Sequence, residues 1–324
     1  MKSTEFDKAV PQACDVSRRR LLFGAGALPL ATGVGLSLQP GKASAALKTN
    51  ARIVIAGSGL GGVAAANRLA RELDGAKITI VDRKEIHNYQ PGYTLVATGI
   101  WPVDKVSDRN ADLIPAGVEW VKEMVAEFDP EANAIVTDAG RRIEYDYLIV
   151  ATGLQIDFAQ IEGMDAAAIG THGLGCVYPS PEAAQATWQA MDAYRQKGGQ
   201  ALMTLPATPL KCAGDFHSAL GNIFSVPVIN DEVLRRWAAL DIPVTFNSKL
   251  VAIDIGARRA TFTSPEGERT ELDYDFIHVV PPMRAPDAVK NSPLSWKEGG
   301  FAAGGWLEVD KETLRHRRFP NVFG

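Results

Sequence analysis

Hydrophobic and polar positions change period several times along the chain. Arg52-Ile53-Val54-Ile55-Ala56 is a short β-branched apolar run, the pattern of a parallel strand buried on both faces. An Ala-rich stretch of helical spacing follows from Val63 to Leu73, and a second strand, Lys77-Ile78-Thr79-Ile80-Val81, comes after it. Asp146-Tyr147-Leu148-Ile149-Val150-Ala151-Thr152-Gly153 predicts another strand ending in a small-residue turn. A similar segment recurs as Asp275-Phe276-Ile277-His278-Val279-Val280-Pro281-Pro282. Each of the two follows a polar, hairpin-like stretch, Asn133 to Glu144 and Arg258 to Leu272. Pro181 to Gln196 has the spacing of an amphipathic helix, with Ser180 placed as N-cap and Gly198-Gly199 at its end. Ala201-Leu202-Met203-Thr204-Leu205 then resumes a strand.

This alternation predicts an α/β protein with parallel sheets. The repeated hairpin-then-strand unit predicts two nested Rossmann-like dinucleotide-binding domains. Two unrelated buried strands are the plainer alternative. A length of 324 residues suggests about two domains, and 46% hydrophobic with 22% charged residues is an ordinary globular balance. The net charge of −4 carries no long single-sign runs, so no nucleic-acid footprint is visible.

The first 46 residues read differently. Arg18-Arg19-Arg20 precede a Gly/Ala-rich apolar stretch, Leu21 to Leu38, broken by Pro29 and followed by Ala43-Ser44-Ala45. A twin-arginine signal peptide cleaved before Ala46 fits this order, with export to the periplasm. An uncleaved membrane anchor is the competing reading. Cys14 would leave with the signal, and Cys176 and Cys212 would remain in a compartment where disulfides persist.

Chemistry enters at Gly57-Ser58-Gly59-Leu60-Gly61-Gly62, which sits between strand and helix. In such a unit Gly57 permits the tight turn, Gly59 lets the backbone approach a pyrophosphate, and Gly62 allows close packing of helix on strand. The helix N-terminus offers free N–H groups and a positive dipole end to phosphates. Asp82, at the end of the second strand, is placed to accept from a ribose hydroxyl and argues for FAD or NAD over NADP. Ala151-Thr152-Gly153 closes the same edge of the sheet. Cys212 lies in Pro206-Ala207-Thr208-Pro209-Leu210-Lys211-Cys212-Ala213-Gly214, a loop at the carboxyl edge of a strand, where α/β folds bind ligands. Lys211 beside it favours the thiolate. By pattern alone a cysteine in a Pro/Gly loop is more often inert than redox-active. His278 ends a buried strand and reads as structural, and His87, His172, His217 and His316 show no metal-ligand spacing with the cysteines, so no metal site is expected.

Thr208-Pro209-Leu210-Lys211-Cys212-Ala213-Gly214 resembles the cysteine signature of sulfide:quinone oxidoreductases, in the branch that includes mitochondrial enzymes. His278-Val279-Val280-Pro281-Pro282-Met283 resembles a second hallmark of that branch. Leu307 to Leu314 with Phe319 to Gly324 resembles a third, and Asn88-Tyr89-Gln90-Pro91-Gly92-Tyr93 matches the loop that lies near the flavin in this family. The resemblance implies a two-domain flavoprotein of glutathione-reductase-like architecture with FAD in the first domain. It implies a cysteine pair that accepts sulfide as a persulfide and passes two electrons through FAD to a membrane quinone. On this sequence Cys212 would carry the sulfur. Cys176 would be its partner or a structural residue. Peripheral membrane association would belong to the full-length protein.

The resulting organisation is a signal over 1–46, the first part of an FAD-binding domain over 47–158, a second Rossmann-like domain over 159–290, and a return to the FAD domain over 291–324. Two departures accompany it. The family's crossover helix and strand after Gly214 have no counterpart here, so the second domain is expected to lack a βαβ element. The sequence stops at Asn321-Val322-Phe323-Gly324, before the family's Gly-Asp pair and second redox cysteine. An inactive truncated remnant is therefore one alternative. A flavocytochrome c sulfide dehydrogenase flavoprotein subunit is another, and a type II NADH dehydrogenase relative is disfavoured because no second glycine fingerprint follows Ala201–Leu205.

Overall fold

The computed structural model describes residues 46–206, 217–218, 224 and 226–324. The expected signal peptide, apart from Ala46, and Cys212 lie outside these residues.

Along the chain the main elements are β1 (Arg52–Ala56), α1 (Leu60–Glu72), β2 (Lys77–Val81), α2 (Tyr93–Ala97), α3 (Asn110–Leu113) and β3 (Glu119–Val121). Next come β4 (Val125–Asp129), β5 (Ala134–Thr137), β6 (Arg142–Glu144) and β7 (Tyr147–Val150). The second half holds β8 (Leu174–Gly175), α4 (Pro181–Lys197), β9 (Ala201–Leu205), β10 (His217–Ser218) and α5 (Pro227–Ala239). It continues with β11 (Lys249–Asp254), β12 (Arg259–Thr263), β13 (Arg269–Asp273) and β14 (Phe276–His278), and β15 (Val322–Phe323) comes last.

Five parallel strands form the first sheet in the order β15-β7-β1-β2-β3. Alternate residues of a strand face opposite sides, and here both sides are buried. Ile53, Ile55, Ile78 and Ile80 pack with Ala66 and Leu69 of α1. Val54, Ala56, Val81, Leu148 and Val150 pack with Phe128 and Ile135 of the antiparallel sheet β6-β5-β4 and with Tyr145 just after β6. The continuous apolar run at 52–56 is the sequence signature of that double burial. A second parallel sheet runs β8-β14-β9-β10, accompanied by a second antiparallel sheet, β11-β12-β13.

The two halves repeat one construction. After β6, Tyr145 N–H donates to the carbonyl of Asn133 at 2.9 Å, and Asp146 N–H to that of Arg52 at 2.8 Å. The Asp146 carboxylate accepts the Arg52 amide at 2.7 Å, which clips the hairpin to the first residue of β1. After β13, Tyr274 N–H donates to Arg258 at 2.9 Å and Asp275 N–H to Gln200 at 2.8 Å. The Asp275 carboxylate accepts the Gln200 amide at 3.0 Å, just before β9. Asn133 and Arg258 both have positive φ, 50° and 55°. This duplicated Tyr-Asp clip makes the halves equivalent, so the nested Rossmann arrangement is present.

Where the pattern and the structure differ, the reason is local. The strand expected over 275–282 is short: Val280 N–H donates at 3.0 Å to the Thr204 hydroxyl instead of a ladder carbonyl. Pro281 and Pro282 then have no N–H to give. α4 begins after Ser180, whose hydroxyl accepts from Ala183 N at 3.1 Å, and ends at Gly198 with φ 77°. The parallel neighbours β9 and β10 are separated only by residues 206–216, whereas β1 and β2 are joined through α1. A parallel connection ordinarily takes a dozen or more residues. None of the side chains of α5, which follows, is buried.

Candidate active site

Gly57, with φ +110°, turns the chain out of β1. A Cβ there would meet the carbonyl oxygen of Ala151 at 2.3 Å, and one at Gly62 would meet that of Gly57 at 1.9 Å. Both obstacles are backbone, so neither position accepts a side chain without moving the turn. Gly59 and Gly61 are the opposite case, with nothing within 4 Å of where a Cβ would lie. α1 starts behind Gly59 with no side-chain cap and no acidic residue in its first turn. Its first N–H groups therefore lack an internal acceptor. An uncapped, acid-free helix N-terminus under two open glycines fits a diphosphate, and the turn suits FAD on that test. Ala151, Thr152 and Gly153 follow β7 across from Gly57, with Ala151 N–H donating to Ala56 at 2.8 Å.

Asp82 sits where the spacing places it, beside the turn, and it is only 5% exposed. Its Oδ2 accepts the Ser58 N–H at 2.8 Å and its Oδ1 the Lys84 N–H at 2.9 Å. The carboxylate thus braces the turn, a role the spacing did not suggest. Asn110, which no sequence motif marked, donates from Nδ2 to Ser58 Oγ at 2.8 Å. The two residues are 52 positions apart, so no local pattern reveals the contact.

A cavity of about 170 Å3 opens between four segments that the sequence keeps apart. Gln90, Pro91, Tyr93 and Thr94 line one side, Leu154 and Ile156 the second, Val177 and Tyr178 the third, and Met283 the fourth. The Gln90–Tyr93 loop, the stretch after Gly153 and the end of the His278–Met283 motif therefore share one cleft. Burial pushes the Tyr93 phenol up to about 12. His278 lies with its ring centroid 6.4 Å from that of Tyr178, and burial pushes its imidazole down to about 4, which leaves it neutral near pH 7.

Cys176 is a free, fully buried thiol two residues before Tyr178. Burial raises its pKa to about 12, and its amide donates to Thr187 Oγ1 of α4 at 2.9 Å. A thiol so shielded stays protonated at neutral pH and is a poor nucleophile. β9 ends at Leu205 beside β14, at the same carboxyl edge that leads to Met283, and Cys212 follows seven positions later in the sequence. Among the described residues no cluster of three His, Cys, Asp or Glu side chains could hold a metal ion.

Residues 51–197 match the pyridine nucleotide-disulphide oxidoreductase family. The chain is 33% identical to the mitochondrial sulfide:quinone oxidoreductase of Mus musculus, in an alignment covering 93% of this chain and 68% of that protein. It is also 33% identical to the corresponding protein of Dictyostelium discoideum, over 86% of this chain and 65% of the relative. The solved sulfide:quinone oxidoreductase of Aquifex aeolicus superposes with a TM-score of 0.69 at 21% identity, covering 86% of this chain and 68% of that one.

Proposed function

The chain belongs to the sulfide:quinone oxidoreductase family, and we propose that it binds FAD along the glycine turn and oxidises sulfide, with a quinone as electron acceptor. The convergence of the 90–94 loop, Leu154, Tyr178 and Met283 on one cleft at the carboxyl edge of the sheets carries this reading. FAD, when bound, supplies the two-electron acceptor that links sulfide to quinone. The remaining work falls to the chain's own residues. The first amides of α1, which have no side-chain cap, would hold the FAD diphosphate. Asp82 stiffens the turn, and its charge disfavours a ribose 2′-phosphate. The largely apolar lining of the cleft would keep water from a flat ring, and Gln90, Tyr93, Thr94 and Tyr178 supply its polar side-chain groups.

Cys212 is our choice for the residue that would hold the sulfur as a persulfide. The S–S bond forms as sulfide and the thiol together give up two protons and two electrons, for which FAD would be the acceptor. Lys211, adjacent in sequence, favours the thiolate. The raised pKa of Cys176 supports a packing role for it over a redox pairing with Cys212. In the net reaction sulfide loses two electrons, and the quinone takes up two electrons and two protons. Purified protein should show flavin absorption bands that sulfide bleaches and a short-chain quinone restores. Cys212→Ser should keep the bands and lose the bleaching. Unchanged bleaching in that variant removes Cys212 from the chemistry, and restoration only by a c-type cytochrome removes the quinone.

We also propose export through the twin-arginine signal, on Ser17 to Leu22 and Ala43-Ser44-Ala45. Fractionated cells should hold mature protein in the periplasm, and Arg18→Lys with Arg19→Lys should retain it in the cytoplasm. Full-length protein in the cytoplasm of unmutated cells would refute this. Among the described residues no helix is long and apolar enough to cross a membrane.

A further inference from the structure

A closed ring of hydrogen bonds braces the glycine turn from beneath, with Asn110 supplying its side-chain donor. Ser58 N–H donates to Asp82 Oδ2 at 2.8 Å, and Lys84 N–H to Asp82 Oδ1 at 2.9 Å. Asn110 Nδ2 completes the circuit by donating to Lys84 O at 2.7 Å and to Ser58 Oγ at 2.8 Å. The backbone of Asn110 is anchored as well, through its N–H to Glu85 O at 2.8 Å. Asn110 and Ser58 are each 1% exposed. The amide has one orientation, because a backbone carbonyl only accepts and the NH2 group must face Lys84 O. Oδ1 is then buried without a partner. An apolar side chain at 110 would avoid that unpaired oxygen, yet no apolar side chain supplies the two donors.

We propose that Asn110 is a positioning residue for the dinucleotide cofactor, acting through Ser58 to hold the glycine turn with the first amides of α1 aimed outward. This rests on the reading that those amides receive the FAD diphosphate. The Ser58 amide is turned inward to Asp82 and its hydroxyl oxygen is pinned by Asn110. The donors left for a phosphate are those of the first turn of α1, which has neither a side-chain cap nor an acid. A turn fixed before the ligand arrives spends no ordering entropy on binding it.

Asn110→Asp tests this with little change of shape. It replaces the double donor with a carboxyl that donates once when protonated and not at all when ionised. The charged groups around position 110 are Asp82 in the ring, Lys84 and Glu85 after β2, and Arg109 and Asp112 on its own segment. Once ionised, the carboxylate introduced by Asn110→Asp adds a like charge beside Asp82. FAD dissociation constants of the full chain, measured by flavin fluorescence and divided by the unmutated protein's value at each pH, should rise roughly tenfold at about pH 8 and recover toward unity at about pH 5. Ser58→Ala and Asn110→Ala should each weaken FAD binding, and the double variant no further than Asn110→Ala alone, because the Ser58 hydroxyl acts through its bond to Asn110. The thermal midpoint of each apo variant, measured alongside, separates turn positioning from general unfolding. Asn110→Asp with unmutated affinity at both pH values, or additive losses in the double variant, overturns the role of Asn110. Unmutated protein that takes up no FAD overturns the parent reading first, and this one with it.

Discussion

At the scale of single residues, environment decides chemistry more than identity does. Cys176 is the clearest case among the described residues. It is sealed under α4 with its pKa raised to about 12, so it should ignore maleimide at about pH 8 in folded Cys212→Ser protein that begins at Ala46 and so lacks Cys14. It should react fully once urea opens the core. Rapid labelling of the folded variant would contradict the burial. Nothing in Gly-Leu-Gly-Cys-Val-Tyr announces that seal, because Leu202 and Ile277 arrive from two other segments. Asp82 teaches the same lesson. Its spacing from Gly62 was legible, while its hold on the Ser58 and Lys84 amides was not.

Elements show how much of the fold is local. The strand–glycine turn–helix–strand unit over 52–81 forms where its apolar period and glycines place it, because each feature needs only near neighbours to act. Gly62 is the point at which α1 meets the turn, and Gly62→Ala would put a methyl 1.9 Å from the Gly57 carbonyl oxygen. The variant should be destabilised by roughly 2–4 kcal/mol in urea unfolding and should lose flavin. Stability within about 0.5 kcal/mol of the unmutated protein would show that the turn yields more easily than this geometry allows. α4 was equally legible, from Ser180 to Gly198. The 275–282 strand was less so. Its ladder stops at His278 because a Thr204 hydroxyl from another strand takes the amide of Val280.

At the scale of the whole molecule, one buried and one half-buried histidine, His316 and His278, link stability to pH. His278 is held neutral with its pKa lowered to about 4, and burial lowers that of His316 as well. An unfolded histidine protonates near about 6.5, so the unfolded state binds more protons as pH falls from about 6.5 toward 4. Stability should be full above that window and decline through it, by on the order of 2 kcal/mol for His278. His278→Gln should flatten that part of the urea-midpoint profile, and an unaltered slope would assign the decline to other groups. The hairpin-then-strand repeat was visible at 133–153 and 258–282, and it foretold two equivalent halves. The clips through Asp146 and Asp275 that make them equivalent were not visible.

The sequence by itself determined the α/β class, the glycine turn with Asp82 beside it and the family, since these depend on residues close along the chain or on motifs read as units. Only the tertiary structure decided that Gln90, Leu154, Tyr178 and Met283 wall one cleft, that Cys176 is sealed, and that Asn110 closes a ring under Ser58. Those facts depend on which strand carboxyl ends lie side by side in the sheets. That adjacency arises when distant apolar faces are buried against one another, and no stretch of sequence encodes it alone.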